Sequence, residues 1–352
     1  MKALRRGLVT FGTAAVVVGT VLGAGAAGAV PLPALPALPN GSLGQPPASK
    51  AQLNKRFKKL SSSMAKKNPG RIGIAITAGG GDSALSFGSL KSARAWSTLK
   101  VPVSIAAQRR NGTEVRPQQI KAITLSDNDA AEALWASLGG NRAAVTAVTG
   151  VLRDGHDSIT RVSSQLDSPP SFPGYTDWKL TSQSIFAANL PCVSGSSEVL
   201  GLMGRVGSNQ QWGVAKPKTR GVTSAVKGGW GPRSDATGKY VVRQLAVITT
   251  PRGTLGVSLA AEPASGSLGD GTAMLDRLGK WVLSNLGKLP AGTCVGVPAA
   301  AQNAKPAPEQ AQPEEAQPQA QQPQAAQPET AEPDPAAQVQ PAPAAQVRPA
   351  AQ

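Results

Sequence analysis

Between residues 50 and 294 the chain alternates between two hydrophobic periods. Period-two runs appear at RIGIAITA (71–78) and, after a GGGD turn, at SALSFG (83–88). They return at VTSAVKGG (222–229), KYVVRQLAVITT (239–250) and TLGVSLAAE (254–262), the last two joined by PRG. Alternation bounded by Gly and Pro turns predicts strands. The middle of the chain switches to three- and four-residue spacing, as at Ala130, Ala131, Leu134 and Leu138. That spacing predicts helices at about 97–110, 129–139, 141–153, 180–190, 196–206 and 268–287. An irregular stretch occupies 155–177. Two strands, a helical middle, three strands and a last helix predict an α+β fold. Its five-stranded antiparallel sheet would be flanked by terminal helices and interrupted by an inserted all-helical lobe.

Both ends depart from this pattern. Residues 1–29 read as a secretory signal: Lys2, Arg5 and Arg6, an apolar run over 8–22, and the small residues Ala27-Gly28-Ala29. No Cys follows for a lipid anchor, and no stable membrane span is expected after cleavage. Residues 30–49 form a Pro-rich linker, and 297–352 are built almost wholly of Ala, Pro and Gln, a composition that predicts a disordered tail. The domain is thus expected at 50–296, in a secreted or cell-envelope protein.

Charge sharpens the picture of partners. Between residues 30 and 296, 31 basic residues face 14 acids, a balance of +17, and KAQLNKRFKKLSSSMAKK alone carries seven cations. An exported domain this basic is expected to meet anionic envelope polymers. Nucleic acid is not expected, because no basic–aromatic recognition pattern accompanies the charge. No metal or cofactor is expected either: the chain has one histidine, His156, in the loop DGHDS. Its two cysteines, Cys192 and Cys294, are expected to form a disulfide in an oxidising compartment.

The candidate chemistry lies in three short phrases. In ITLSDNDAAEALWASLGG, Ser126, Asp127 and Asn128 stand where a helix cap is expected, and capping alone would account for them. Upstream, AWSTLKVPV places Ser97 and Lys100 one helical turn apart. The pattern S-x-x-K also occurs at Ser63 and Ser224, but only Ser97 opens a mainly apolar helix ahead of the triplet. Downstream, VKGGWG puts Lys227 on a strand before two glycines. S-x-x-K, then S-D-N, then a K-T-G-like triplet is the order found in penicillin-recognising enzymes.

With these phrases and the Arg243 strand, the segment from Arg71 to Leu286 resembles the class A β-lactamases and their penicillin-binding relatives. The resemblance implies that Ser97 is an acylated nucleophile, Lys100 its proton acceptor, and Ser126 a proton relay to the leaving group, with Lys227 beside them. It implies that Asn128 and the Gly229–Trp230 backbone hold the substrate, a β-lactam or a cell-wall peptide. The N–H groups of Ser97 and Trp230 would form an oxyanion hole, and Arg243 would pair with a carboxylate. Asp127 would only shape its turn.

Three departures qualify the resemblance. The family's deacylating Glu should fall in ITRVSSQLDSPP, which has only Ser163, Ser164, Gln165 and, one position late, Asp167. Gly228 replaces the hydroxyl residue of K-T-G, and the Ser97–Ser126 interval is much shorter than the family's. Three readings follow. One is a serine hydrolase or acyl-transferase with slow or no β-lactam turnover. The others are a non-catalytic envelope-binding protein on the same fold and an active β-lactamase.

Overall fold

The computed structural model describes residues 48–294. The expected signal, nearly all of the linker and the tail at 297–352 lie outside the described residues. Helix α1 (Lys50–Lys67) leads into strands β1 (Gly70–Ala78) and β2 (Ala84–Gly88), and then into the short β3 (Ser92–Arg94). The helical part follows: α2 (Lys100–Asn111), α3 (Arg116–Ile120), α4 (Asn128–Ala136) and α5 (Asn141–Asp154). After β4 (Asp177–Lys179) come α6 (Leu180–Asn189) and α7 (Ser197–Met203). Strands β5 (Thr223–Pro232), β6 (Tyr240–Thr250) and β7 (Gly253–Pro263) precede the closing helix α8 (Leu268–Ser284).

The sheet is antiparallel in the order β2-β1-β7-β6-β5, which leaves β5 at one edge. One hydrophobic cluster joins it to α1 and α8. Leu53, Phe57 and Met64 of α1 meet Ile72, Ile74 and Ile76 of β1 and Met274, Leu278 and Trp281 of α8. Phe57, Phe87 and Trp281 form a ring cluster with centroids 5.5–5.7 Å apart. A second cluster builds the helical lobe from α2, α4, α5, α6 and α7, closed by Leu245 and Val247 of β6. Among the described residues, no helix is long and apolar enough to cross a membrane.

Several elements depart from the hydrophobic pattern. Helix α1 is so rich in Lys that its apolar face shrinks to three buried residues; it is held by a Ser49–Gln52 capping box and by Lys66 and Lys67 in its last turn. The β3–β4 pair is three residues long on each side. The helix expected from residue 97 begins as a 3₁₀ turn, Trp96–Leu99, before α2 continues it.

Candidate active site

The turn that carries Ser97 is fixed from several sides. Trp96 has φ +48°, a left-handed conformation that a bulky residue adopts only when its surroundings impose it. Below the turn, Thr98 Oγ1 donates to Ala95 O (2.6 Å) and accepts from Gln183 Nε2 (2.9 Å), whose Oε1 accepts from Ser258 of β7 (2.5 Å). On the flank, β5 presses so close at Gly229 that an added Cβ would lie 2.9 Å from Ala95 O and 3.0 Å from Thr98 N. Only glycine fits there. The Ser97 hydroxyl makes no hydrogen bond among the described residues.

Lys100 follows one turn later, its backbone N–H bonded to Ser97 O. Its buried ammonium donates to Ser126 O, to Asp127 O (2.9 Å) and to Asn128 Oδ1 (2.8 Å). No carboxylate touches it, so burial dominates and brings its pKa down to about 7 against the opposing fields of Asp127, Glu132 and Asp129. Three acceptors match the three N–H groups of the charged form. To take a proton from a neighbour, the amine must first lose one proton and free one of these contacts.

Ser126 is positioned by a π-helical turn, Lys121–Leu125, and is itself left-handed at φ +64°. Its hydroxyl accepts from Lys227 Nζ at 2.9 Å. Lys227, fully buried on β5, also donates to Gln210 Oε1 (2.6 Å) and Gly228 O (3.0 Å). Burial first, and then the charge of Lys100, holds it well below the ordinary lysine range. The Ser-Asp-Asn triplet divides its labour: Asp127 Oδ1 caps α4 by accepting from Ala130 N (2.7 Å), while Ser126 and Asn128 bind the two lysines. A cap and one wall of the cleft thus coexist in three residues.

Two glutamines escaped the sequence reading. Gln210 Nε2 donates to Ile123 O and Thr124 O in the π turn, and its Oε1 accepts from Lys227 Nζ and Gly228 N. It locks β5 to the turn before Ser126, as Gln183 locks α6 to the turn of Ser97. Neither lies in a motif, and a single Gln in a polar phrase such as SNQQW gives no signal.

Arg243 departs from its expected place. It is fully buried, and its guanidinium donates to Ala93 O (2.6 Å), Arg94 O (3.2 Å) and Trp178 O (3.1 Å). It therefore holds β3 and β4 under the Ser97 turn and offers nothing to a substrate carboxylate. Burial lowers its pKa to about 9, opposed by Asp177. Asp167, the only acid of the segment where the family's Glu is expected, spends both oxygens locally: Oδ1 accepts from Arg161 (2.7 Å) and Oδ2 from Ser164 N (3.0 Å). These bonds, the Ser164 N–H first, lower its pKa. The loop instead meets the site through rings, with Trp96 against Phe172 (5.9 Å) and Tyr175 (5.3 Å). Trp230 lies next to Gly229 on β5, half-buried. Cys192 and Cys294 are joined in a disulfide with Cα atoms 5.7 Å apart.

No protein-family model and no curated protein sequence matches this chain. Solved structures do. A class A β-lactamase from Mycobacterium abscessus aligns at TM-score 0.52 and 19% identity, covering 66% of this chain and 99% of that one. The chromosome-encoded β-lactamase of Vibrio parahaemolyticus gives 0.51 and 15% over 66% and 98%. A β-lactamase from Xanthomonas campestris gives 0.51 and 15% over 67% and 98%. With its α+β layout and five-stranded antiparallel sheet, the chain has the fold of the class A β-lactamases.

Proposed function

We propose that this protein is an exported serine hydrolase or acyl-transferase, acylated at Ser97, that turns β-lactams over slowly or not at all. The observation that carries the reading is the Lys100–Ser126–Lys227 cluster: two buried, pKa-lowered amines, one bonded to the carbonyl and the other to the hydroxyl of Ser126, with Lys100 one turn from Ser97. A fold alone has no need to bury two lysines without a carboxylate partner, because the desolvation costs several kcal/mol per ion.

In the proposed step, neutral Lys100 accepts the Ser97 proton as Oγ bonds to the substrate carbonyl carbon. The bond from that carbon to the leaving group then breaks, and the leaving group takes a proton through the Ser126 hydroxyl, which Lys100 and Lys227 resupply. Backbone N–H groups of Ser97 and Trp230 would steady the oxyanion, and Asn128 would hold the substrate amide. A wall peptide or related acyl compound fits the exported, basic character of the chain. The lack of a free carboxylate in the 155–176 loop supports slow hydrolysis of the acyl-enzyme, and it also favours the second reading, an envelope-binding protein without chemistry.

Intact-mass measurement after exposure to a small fluorophosphonate separates the two. One adduct on the wild type and none on Ser97→Ala supports acylation. Equal labelling of both proteins, or of neither, leaves the binding reading.

A further inference from the structure

The outer face of β5 beside the Ser97 turn carries Gly228 and Trp230, which alternate with the inward-facing Lys227 and Gly229. At Gly228 an added Cβ would lie 2.7 Å from Cζ2 and 3.0 Å from Cη2 of Trp212. The indole of Trp212 thus fills the room that a side chain would take at this position. Its Nε1 is tied to Asn209 O (2.9 Å), and its ring meets that of Trp230 edge to face at 6.4 Å and 73°. Both rings are only half-buried.

The polar groups around this pair are already engaged. Lys227 directs its three N–H groups at Ser126, Gln210 and Gly228. Gln244, opposite Gly228 in the register, donates to Trp212 O (2.7 Å) and accepts from Val214 N (2.9 Å). Arg243, on the opposite face of the sheet beside Gly229, is buried on main-chain carbonyls with only its enclosed Nε unpaired. A carboxylate arriving here would lose its water and find Lys227 and Gln244 already bonded, a poorly compensated burial of charge. An apolar or aromatic group would instead gain contact with two indole rings.

We propose that the β5 end of the cleft receives an uncharged, apolar or aromatic leaving group against Trp212 and Trp230, in place of a carboxylate. The proposal rests on Ser97 being the nucleophile. It identifies the substrates as neutral esters, thioesters or amides, and it explains why a carboxylate-bearing β-lactam would be a poor acylating agent.

A matched pair of probes tests it: phenylacetyl thioesters of 3-mercaptobenzoic acid and of its methyl ester, whose leaving thiols differ chiefly in the carboxylate. Ser97 Oγ takes the acyl group as the C–S bond breaks, the thiol departs, and its proton derives from Ser97 through Lys100. Intact mass against time should show the neutral probe labelling Ser97 at least tenfold faster. Trp212→Ala and Trp230→Ala should each pull that ratio toward one, and Trp230→Phe should keep most of it. Gly228→Thr combined with Trp212→Ala should raise labelling by the acidic probe. Equal rates in the wild type, or a preference that survives both alanine variants, overturns the proposal while leaving Ser97 as nucleophile. If a fluorophosphonate labels Ser97 and neither thioester does, the proposal also falls. If no reagent labels Ser97, the hydrolase reading falls with it.

Discussion

Around Ser126, every polar atom of Lys100, Ser126 and Lys227 that the geometry resolves has a partner within about a normal hydrogen-bond length. Elsewhere around the site the neighbours are rings: Phe172 and Tyr175 of the 155–176 loop against Trp96, and Trp212 against Trp230 of β5. Under the proposed acylation of Ser97, the contrast separates the two steps of the reaction. Groups able to move protons onto and off a serine are desolvated there, whereas among the described residues the carboxylate of the segment expected to activate water, Asp167, is bonded to Arg161 and Ser164 N. A site of this kind is expected to form an ester faster than it releases one.

Removing the first half should have the largest effect. Ser97→Ala should abolish labelling. Lys100→Ala and Lys227→Ala should each slow it by about 10²- to 10⁴-fold, the usual range for a positioned proton-transfer group. Circular dichroism should stay native in all three, and wild-type labelling rates in Lys100→Ala would break the comparison. The second half is tested by lifetime. Any acyl-enzyme should persist for minutes, and turnover of a chromogenic cephalosporin at about 10 s⁻¹ or more, a median enzyme rate, would show that the loop does supply a working base.

Next in size is the Cys192–Cys294 bond, which closes a span of 102 residues between the helical lobe and the end of the described chain. Replacing both cysteines with alanine should lower stability by up to about 4.7 kcal/mol in the chain-entropy account of a loop this long. A denaturant titration that leaves the midpoint unchanged would show that the lobe holds itself in place. Smaller per pH unit is the effect of titrating Lys100. Lys100 titrates at about 7 when folded and near its ordinary 10.5 when unfolded, so the unfolded chain binds more protons between these values. Stability should therefore rise with pH across that window, by at most about 1.4 kcal/mol per unit for this group. The labelling rate should rise through pH 7 as the neutral amine forms. Lys100→Met should flatten the stability slope, and an unchanged slope would assign it to other groups.

The sheet, its order of elements and the three motif phrases were legible because each rests on local pattern: alternation along a strand, or residues within one turn of each other. What escaped is what depends on packing between distant segments. Arg243 stands on a strand buried on both faces, where alternation does not say which face is the cleft, and its burial follows from where β3 and β4 lie. Gln183 and Gln210 matter only because folding brings β7 and the π turn to them. Gly228 was legible as a missing hydroxyl, but not as the floor under Trp212, which lies sixteen positions earlier in the chain. The disulfide was legible for the opposite reason, since a chain with two cysteines leaves one internal pairing.

The smallest expected effect concerns the basic surface of α1. Because Leu53, Phe57 and Met64 are buried against the sheet, Lys55, Arg56, Lys58 and Lys59 are exposed to solvent. If this face helps hold the protein to anionic envelope polymers, each cation contributes little alone and the sum is a screened, long-range attraction. Binding of the full chain to isolated cell walls should then weaken steeply between about 0.1 and 1 M salt, as the screening length falls from about 10 to 3 Å. Replacing the four cations with Gln should weaken it further at low salt, while Ser97 labelling stays as in the wild type because α1 packs on the face of the sheet away from the helical lobe. Deleting residues 297–352 should leave the salt-sensitive binding in place, since the six acids of that segment outnumber Lys305 and Arg348. Salt-independent binding that vanishes with the deletion would move recognition to the Pro-Ala-Gln segment and leave α1 a soluble surface only.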